Sequence, residues 1–215
     1  MKNLRLWIFF CAIGEFLGIG FAAAVAVAWN VFSGDQSSMP WLLSGLIVMM
    51  FAGWVEGMCL SFFQGLYLKK YLPGLDIRKW RRNTVFIAVS GWFLGSLPSL
   101  FISASQPQAS SAGPPLWIMV LSVILMGIVL GGLFGFAQYL VLKTHFKHPR
   151  FWISAHMSGW ILGLGFIFLA ATVPDEHTDL WKIVLGGLFS GMLAGISVGC
   201  FGALAFRKME KVDTF

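Results

Sequence analysis

A chain of 215 residues in which 58% are hydrophobic and only 11% charged falls far outside the soluble range, where about a quarter of residues carry charge. The formal net charge of +6 sits in short basic runs between apolar stretches, without a recognition motif, which excludes a nucleic-acid-binding protein. No connection is long enough to hold a soluble domain, so the chain acts within a bilayer or at its surface.

Apolar stretches of at least about 18 residues, the length that spans a membrane, recur along the chain. They predict helices near 6–31, 40–68, 84–103, 115–142, 151–173 and 181–206. The first begins MKNLR and reaches AVA at 26–28, as a secretory signal would, but it is too long for a signal core, contains Glu15 and belongs to a repeat, so it reads as a retained helix. The second runs into the basic segment LKKYLPGLDIRKWRRN, expected as a loop over 69–82. Between the third and fourth, SASQPQASSAGPP at 103–115 has the composition of a flexible tether.

Every Lys and Arg except Lys182 falls at one side of these six stretches: Lys2 and Arg5, the run from Lys69 to Arg82, Lys143, Lys147 and Arg150, then Arg207, Lys208 and Lys211. Asp35, Asp175, Glu176 and Asp179 fall at the other. Basic residues are retained on the cytoplasmic side, so both termini are expected there. The expected fold is an all-α integral membrane domain of six transmembrane helices. The basic loop is expected to attract anionic lipid.

A short phrase recurs: AIGEFLG at 12–18, VSGWFLG at 89–95 and MSGWILG at 157–163. Arg5, Arg82 and Arg150 stand at one spacing before Gly14, Gly91 and Gly159, which are followed four residues later by Gly18, Gly95 and Gly163. The returning helices repeat as well, through Gly53 and Gly57, Gly127 and Gly131, Gly191 and Gly195. Further along, Gln64, Gln138 and Gly202 occupy one repeat position. The chain therefore reads as three tandem hairpins, 1–75, 76–148 and 149–215. Repeats of one orientation imply a pseudo-rotation axis along the membrane normal. The twelve glycines are expected to form packing seams, because helices in lipid associate by close backbone approach.

Tryptophans near the predicted helix ends (Trp7, Trp29, Trp41, Trp80, Trp117, Trp152 and Trp181) read as an interfacial aromatic belt. Trp92 and Trp160 belong to the repeated phrase and read as core packing. Cys11, Cys59 and Cys200 lack C-x-x-C spacing and read as small packing residues.

The repeat breaks in the first hairpin. Glu15 stands where the other copies have Trp92 and Trp160, and Glu56 where they have Leu130 and Ala194. At 1.5 Å per residue, Glu15 lies about 15 Å from Arg5 and Glu56 about 20 Å from Lys69, so both fall near the midplane on adjacent helices. A charged carboxylate there costs about 2.5–3.5 kcal/mol, and such residues mark ion or proton pathways. The bland alternative is that the acids fasten the first hairpin. His156 is read as a packed histidine before a partner of the acids. Gln64 and Gln138 are read as interhelical hydrogen-bonders before ligands.

The chain has no H-E-x-x-H, no G-x-S-x-G and no paired histidines at helical spacing, so neither an enzyme, a metal site nor a cofactor is expected. Residues 131–160 run GGLFGFAQYLVLK, a basic turn, then FWISAHMSGW. Through Gln138 to Lys143 and Gly159, Trp160 and Gly163, this resembles a loose group of bacterial multi-pass membrane proteins. In that group a glycine-rich helix runs into Q-W/Y-L-V-L-R/K and then S-x-x-G-W-x-x-G. The first junction departs from the pattern, with QGLYLKK at 64–70. The resemblance implies a bacterial cytoplasmic membrane and transfers no activity. The expected function is a carrier, or an ion- or proton-coupled solute-binding protein, working through Glu15 and Glu56. The alternative is a non-catalytic subunit or scaffold that packs against membrane partners or its own copies.

Overall fold

The structure, a computed structural model, describes residues 3–34, 36, 38–105, 115–174 and 177–212, with 98–105 described as backbone only. Asp35, Asp175 and Glu176, and most of the tether expected at 103–115, lie outside the described residues. Among the described residues six helices form: α1 (Leu4–Ser33), α2 (Met39–Tyr71), α3 (Ile77–Ser105), α4 (Leu116–Leu142), α5 (Phe151–Thr172) and α6 (Leu180–Lys208). Among the described residues, all but α3 are long and apolar enough to cross a membrane, which fits an integral membrane protein. Large apolar side chains such as Ile47, Phe51, Leu125, Val129 and Phe189 remain exposed on the outer faces, where lipid would cover them.

Each helix packs on its neighbours in sequence, and α6 returns to pack on α1, so the bundle closes into a ring. The α3–α4 seam is the slightest of the six. Glycine explains how the others become close. A methyl group at Gly131 on α4 would fall 2.5 Å from the carbonyl oxygen of His156 and 2.7 Å from Cα of Met157 on α5. One at Gly57 would fall 2.7 Å from Cα of Val85 on α3, and one at Gly195 would strike the backbone of Cys11 on α1. Between α1 and α2, and between α5 and α6, Gly14 meets Cα of Leu60 and Gly159 meets Cα of Val198, both at 2.9 Å from the position of an added methyl. The α3–α4 pair differs. Gly91 meets only the side chain of Leu130, and Gly95 is exposed with nothing within 4 Å among the described residues, so the packing role expected for Gly95 is not found.

Three features depart from expectation at the end of the bundle where the basic residues gather. First, α3 starts at Ile77 and the loop expected over 69–82 shrinks to a turn at 72–76. Asp76 is the reason: its carboxyl accepts the Lys79 N–H at 2.9 Å and its carbonyl accepts the Trp80 N–H at 3.0 Å, an N-cap that begins the helix among the arginines. Gly74, at φ 97°, supplies the left-handed residue the turn requires. Second, Trp7, Trp80 and Trp152 are fully buried and do not form an interfacial belt. Trp7 and Trp152 meet edge to face at 5.7 Å, and Trp80 meets Trp152 at 6.0 Å, with Tyr67 and Phe206 filling in around them. This cluster plugs the ring. Trp117 and Trp181, at the opposite end, are exposed as a belt requires.

Third, a short antiparallel ribbon pairs Phe146–Lys147 with Glu210–Lys211, and Lys211 Nζ donates to the carbonyl of Tyr71 at 3.0 Å. The segment after α6 is thereby tied to the α4–α5 turn and to the end of α2. Of the cysteines, Cys11 is buried, Cys59 is partly buried, and Cys200 is exposed on α6, so the packing role expected for Cys200 is not found.

Candidate functional site: two buried acids and an indole

Glu15 is fully buried and Glu56 is 4% exposed. Both positions follow from the glycine seams. A methyl group at Gly18 would fall 2.9 Å from Cα of Glu56, so α2 approaches α1 at the level of the acids. On the other side of α1, a methyl at Gly191 of α6 would fall 2.5 Å from the backbone carbonyl of Glu15. Helix α1 is thus gripped between α2 and α6 where it carries its carboxyl.

The two acids differ in their partners. The indole N–H of Trp92 on α3 donates to Oε2 of Glu56. Neither carboxyl oxygen of Glu15 has a hydrogen-bond partner among the described residues, although both are buried. A buried carboxyl without a partner forgoes its hydrogen bonds and is costly as an anion. Its oxygens are ready acceptors for a proton or for a donor arriving from outside the protein.

The remaining sequence candidates sit elsewhere. Gln64 is fully buried; its oxygen accepts the Trp80 N–H at 3.0 Å and its nitrogen donates to Cys11 Sγ at 3.6 Å. Gln138 repeats the arrangement, accepting from Trp152 at 2.9 Å and donating to Thr84 Oγ1 at 3.1 Å. Both belong to the aromatic plug and not to the acids. His156 is 1% exposed, with its ring on Trp152. Its Nδ1 is 3.1 Å from the carbonyl of Trp152, which makes Nδ1 a donor, and the buried Nε2 has no hydrogen-bond partner among the described residues. No hydrogen bond joins His156 to either acid among the described residues.

Sequence reasoning missed Trp92 as the partner of Glu56. The signal was its place in the repeated phrase, at the level where the first copy carries Glu15. It also missed the consequence of Gly202. That glycine stands where the other copies place a glutamine, and a methyl there would fall 2.9 Å from Nε1 of Trp7. Lacking the amide, Trp7 Nε1 is buried without a hydrogen-bond partner among the described residues, as is Nε1 of Trp160, whose ring stacks on Phe134 at 5.0 Å. Comparison with protein-family models, with curated proteins and with solved structures finds no match for this chain.

Proposed function

We propose that the protein is a carrier, or an ion- or proton-coupled solute-binding protein, of a bacterial cytoplasmic membrane. Glu15 and Glu56 take up the coupling proton or a cationic solute. The proposal includes three tandem hairpins about an axis normal to the membrane, with all six helices spanning it and both termini cytoplasmic. The observation that carries it is Glu15: a fully buried carboxyl whose two oxygens have no hydrogen-bond partner among the described residues, beside a second acid held by an indole. A residue kept only to fasten helices is expected to spend its acceptors on the protein, as Gln64 and Gln138 do. Glu15 does not.

A second reading, a non-catalytic subunit or scaffold for partner membrane proteins or further copies of the chain, draws on Glu56. Its bond to Trp92 ties α2 to α3 and is what a structural acid makes. Reconstituted vesicles separate the two. Under an imposed outward proton gradient, the protein should accumulate small organic cations from a panel of alkylammonium probes, and Glu15→Gln should abolish the uptake while the protein remains folded. A wild-type protein that moves neither probe nor protons under any gradient overturns the carrier reading and favours the scaffold.

A further inference from the structure

Outside the ring, where α2 ends and α3 begins, the surface is hollowed into a groove of about 1070 Å³. Its mouth carries four basic side chains, Lys69, Arg78, Arg81 and Arg82, and among the described residues none of them is in an ion pair. Its wall below them is apolar: Val85, Phe86 and Val89 from α3, and Met58 from α2. The order follows from the helix itself. Positions 78, 81, 82, 85, 86 and 89 recur at the spacing of one helical face, so a single stripe of α3 changes from basic to apolar within about two turns. Gly57 lets α2 close on Val85 behind this stripe, with a methyl at Gly57 falling 2.7 Å from Cα of Val85.

Two observations turn the groove into a site. Nε of Arg81 is buried and has no hydrogen-bond partner among the described residues, so one N–H of its guanidinium is withdrawn from water without a visible acceptor. The one acid at the groove, Asp76, has a carboxyl oxygen engaged in capping Lys79. Among the described residues, the groove leaves this N–H without an acceptor and its four basic side chains without a counter-charge.

We infer that this groove binds an anionic phospholipid, with the lipid phosphate between Arg81 and Arg82 and an acyl chain lying along Val85, Phe86 and Val89. Arginine presents a planar fork that matches phosphate oxygens, and a phosphate placed there would neutralise two guanidinium groups that have no ion-pair partner among the described residues. The apolar continuation commits the site to a lipid: Phe86, 67% exposed, offers an acyl chain a surface next to the arginines that a free phosphate would not use. The groove lies on the outer face of the α2–α3 pair, and the inference stands independently of the transport role of Glu15.

The test uses the intact protein purified in neutral detergent, with its thermal unfolding midpoint followed as lipid is titrated into the micelles. Phosphatidylglycerol should raise the midpoint saturably, phosphatidylcholine should do so only weakly, and glycerol 3-phosphate not at all. Arg81→Gln and Arg82→Gln should each weaken the apparent affinity about fivefold, the equivalent of ~1 kcal/mol per basic residue at an anionic surface. Arg207→Gln, at the end of α6 outside the groove, should leave it unchanged. Should Arg81→Gln fail to fold, the exposed Arg82 carries the same comparison. An equal response to phosphatidylcholine, an equal loss in Arg207→Gln, or a glycerol 3-phosphate response matching that of the lipid overturns the inference.

Discussion

The indole of Trp92 donates its N–H to the carboxyl of Glu56, joining α3 to α2 across the seam where Gly53 leaves room for the indole ring. Removing the donor leaves a buried acceptor unsatisfied. Trp92→Phe should therefore lower unfolding stability by about 1–3 kcal/mol, read as the thermal midpoint in detergent. Glu56→Gln should cost less, since the amide oxygen still accepts from the indole. Equal losses in the two variants would mean that the indole–carboxyl hydrogen bond is not what holds the seam.

In the aromatic plug, Gln138 binds Trp152 and Thr84 at once, so Gln138→Leu strands a donor on α5 and a hydroxyl on α3. The expected cost is about 1–3 kcal/mol. Trp152→Phe in the Gln138→Leu background removes the stranded donor, and the double variant should lose less than the sum of the two single ones. Strict additivity would show that the two groups are not coupled in solution.

The seams give a comparison between glycines of one sequence pattern. At Gly131 a side chain meets the backbone of α5, with the carbonyl of His156 2.5 Å from the first carbon, whereas Gly95 has nothing within 4 Å among the described residues. Gly131→Leu should destabilise by at least the roughly 1–3 kcal/mol of an overpacked core. Gly95→Leu should be near neutral, or slightly stabilising through helix propensity. Unfolding midpoints that fall alike would remove the distinction between a packed α4–α5 seam and an open face on α3.

How much of this was legible in the sequence depends on the kind of signal. The apolar stretches located the helices because length and hydropathy are local properties, and Glu15 and Glu56 stood out because each replaces an apolar residue in a repeated phrase. The burial of Trp7, Trp80 and Trp152 was not legible. Position near a helix end suggests an interfacial ring, and only the convergence of helices from three parts of the chain turns these residues inward. The start of α3 was hidden because four basic residues mask a helix from hydropathy, although Asp76 three residues before Lys79 was the available signal. The ribbon of Phe146–Lys147 with Glu210–Lys211 rests on pairing between distant dipeptides, which have no period of their own.

The proposed orientation follows from the placement of Lys and Arg and can be read chemically. With the three native cysteines replaced by alanine, a cysteine at Ser110 should react with an impermeant maleimide added to intact cells. One at His148, exposed in the α4–α5 turn, should react only after lysis. Labelling of position 148 from outside would invert the topology and place the basic groove on the opposite leaflet.

Glu15 offers the sharpest separation of a functional acid from a structural one. Its carboxyl is fully buried with neither oxygen paired, so it contributes desolvation cost and, within the described residues, no hydrogen bond in return. Replacing such a group by an apolar one of similar size relieves that cost, and burying an unsatisfied polar group costs about 1–3 kcal/mol. Glu15→Leu should accordingly raise the thermal midpoint of the protein in detergent, and in vesicles it should carry no cation uptake. Residues retained against stability are retained for what they do, and a more stable, inactive variant would identify Glu15 as one of them. The opposite result is equally informative. If Glu15→Leu unfolds earlier than the wild type while Glu15→Gln does not, the carboxyl is fastening α1 by hydrogen bonds made in the membrane, and the scaffold reading takes the place of the carrier.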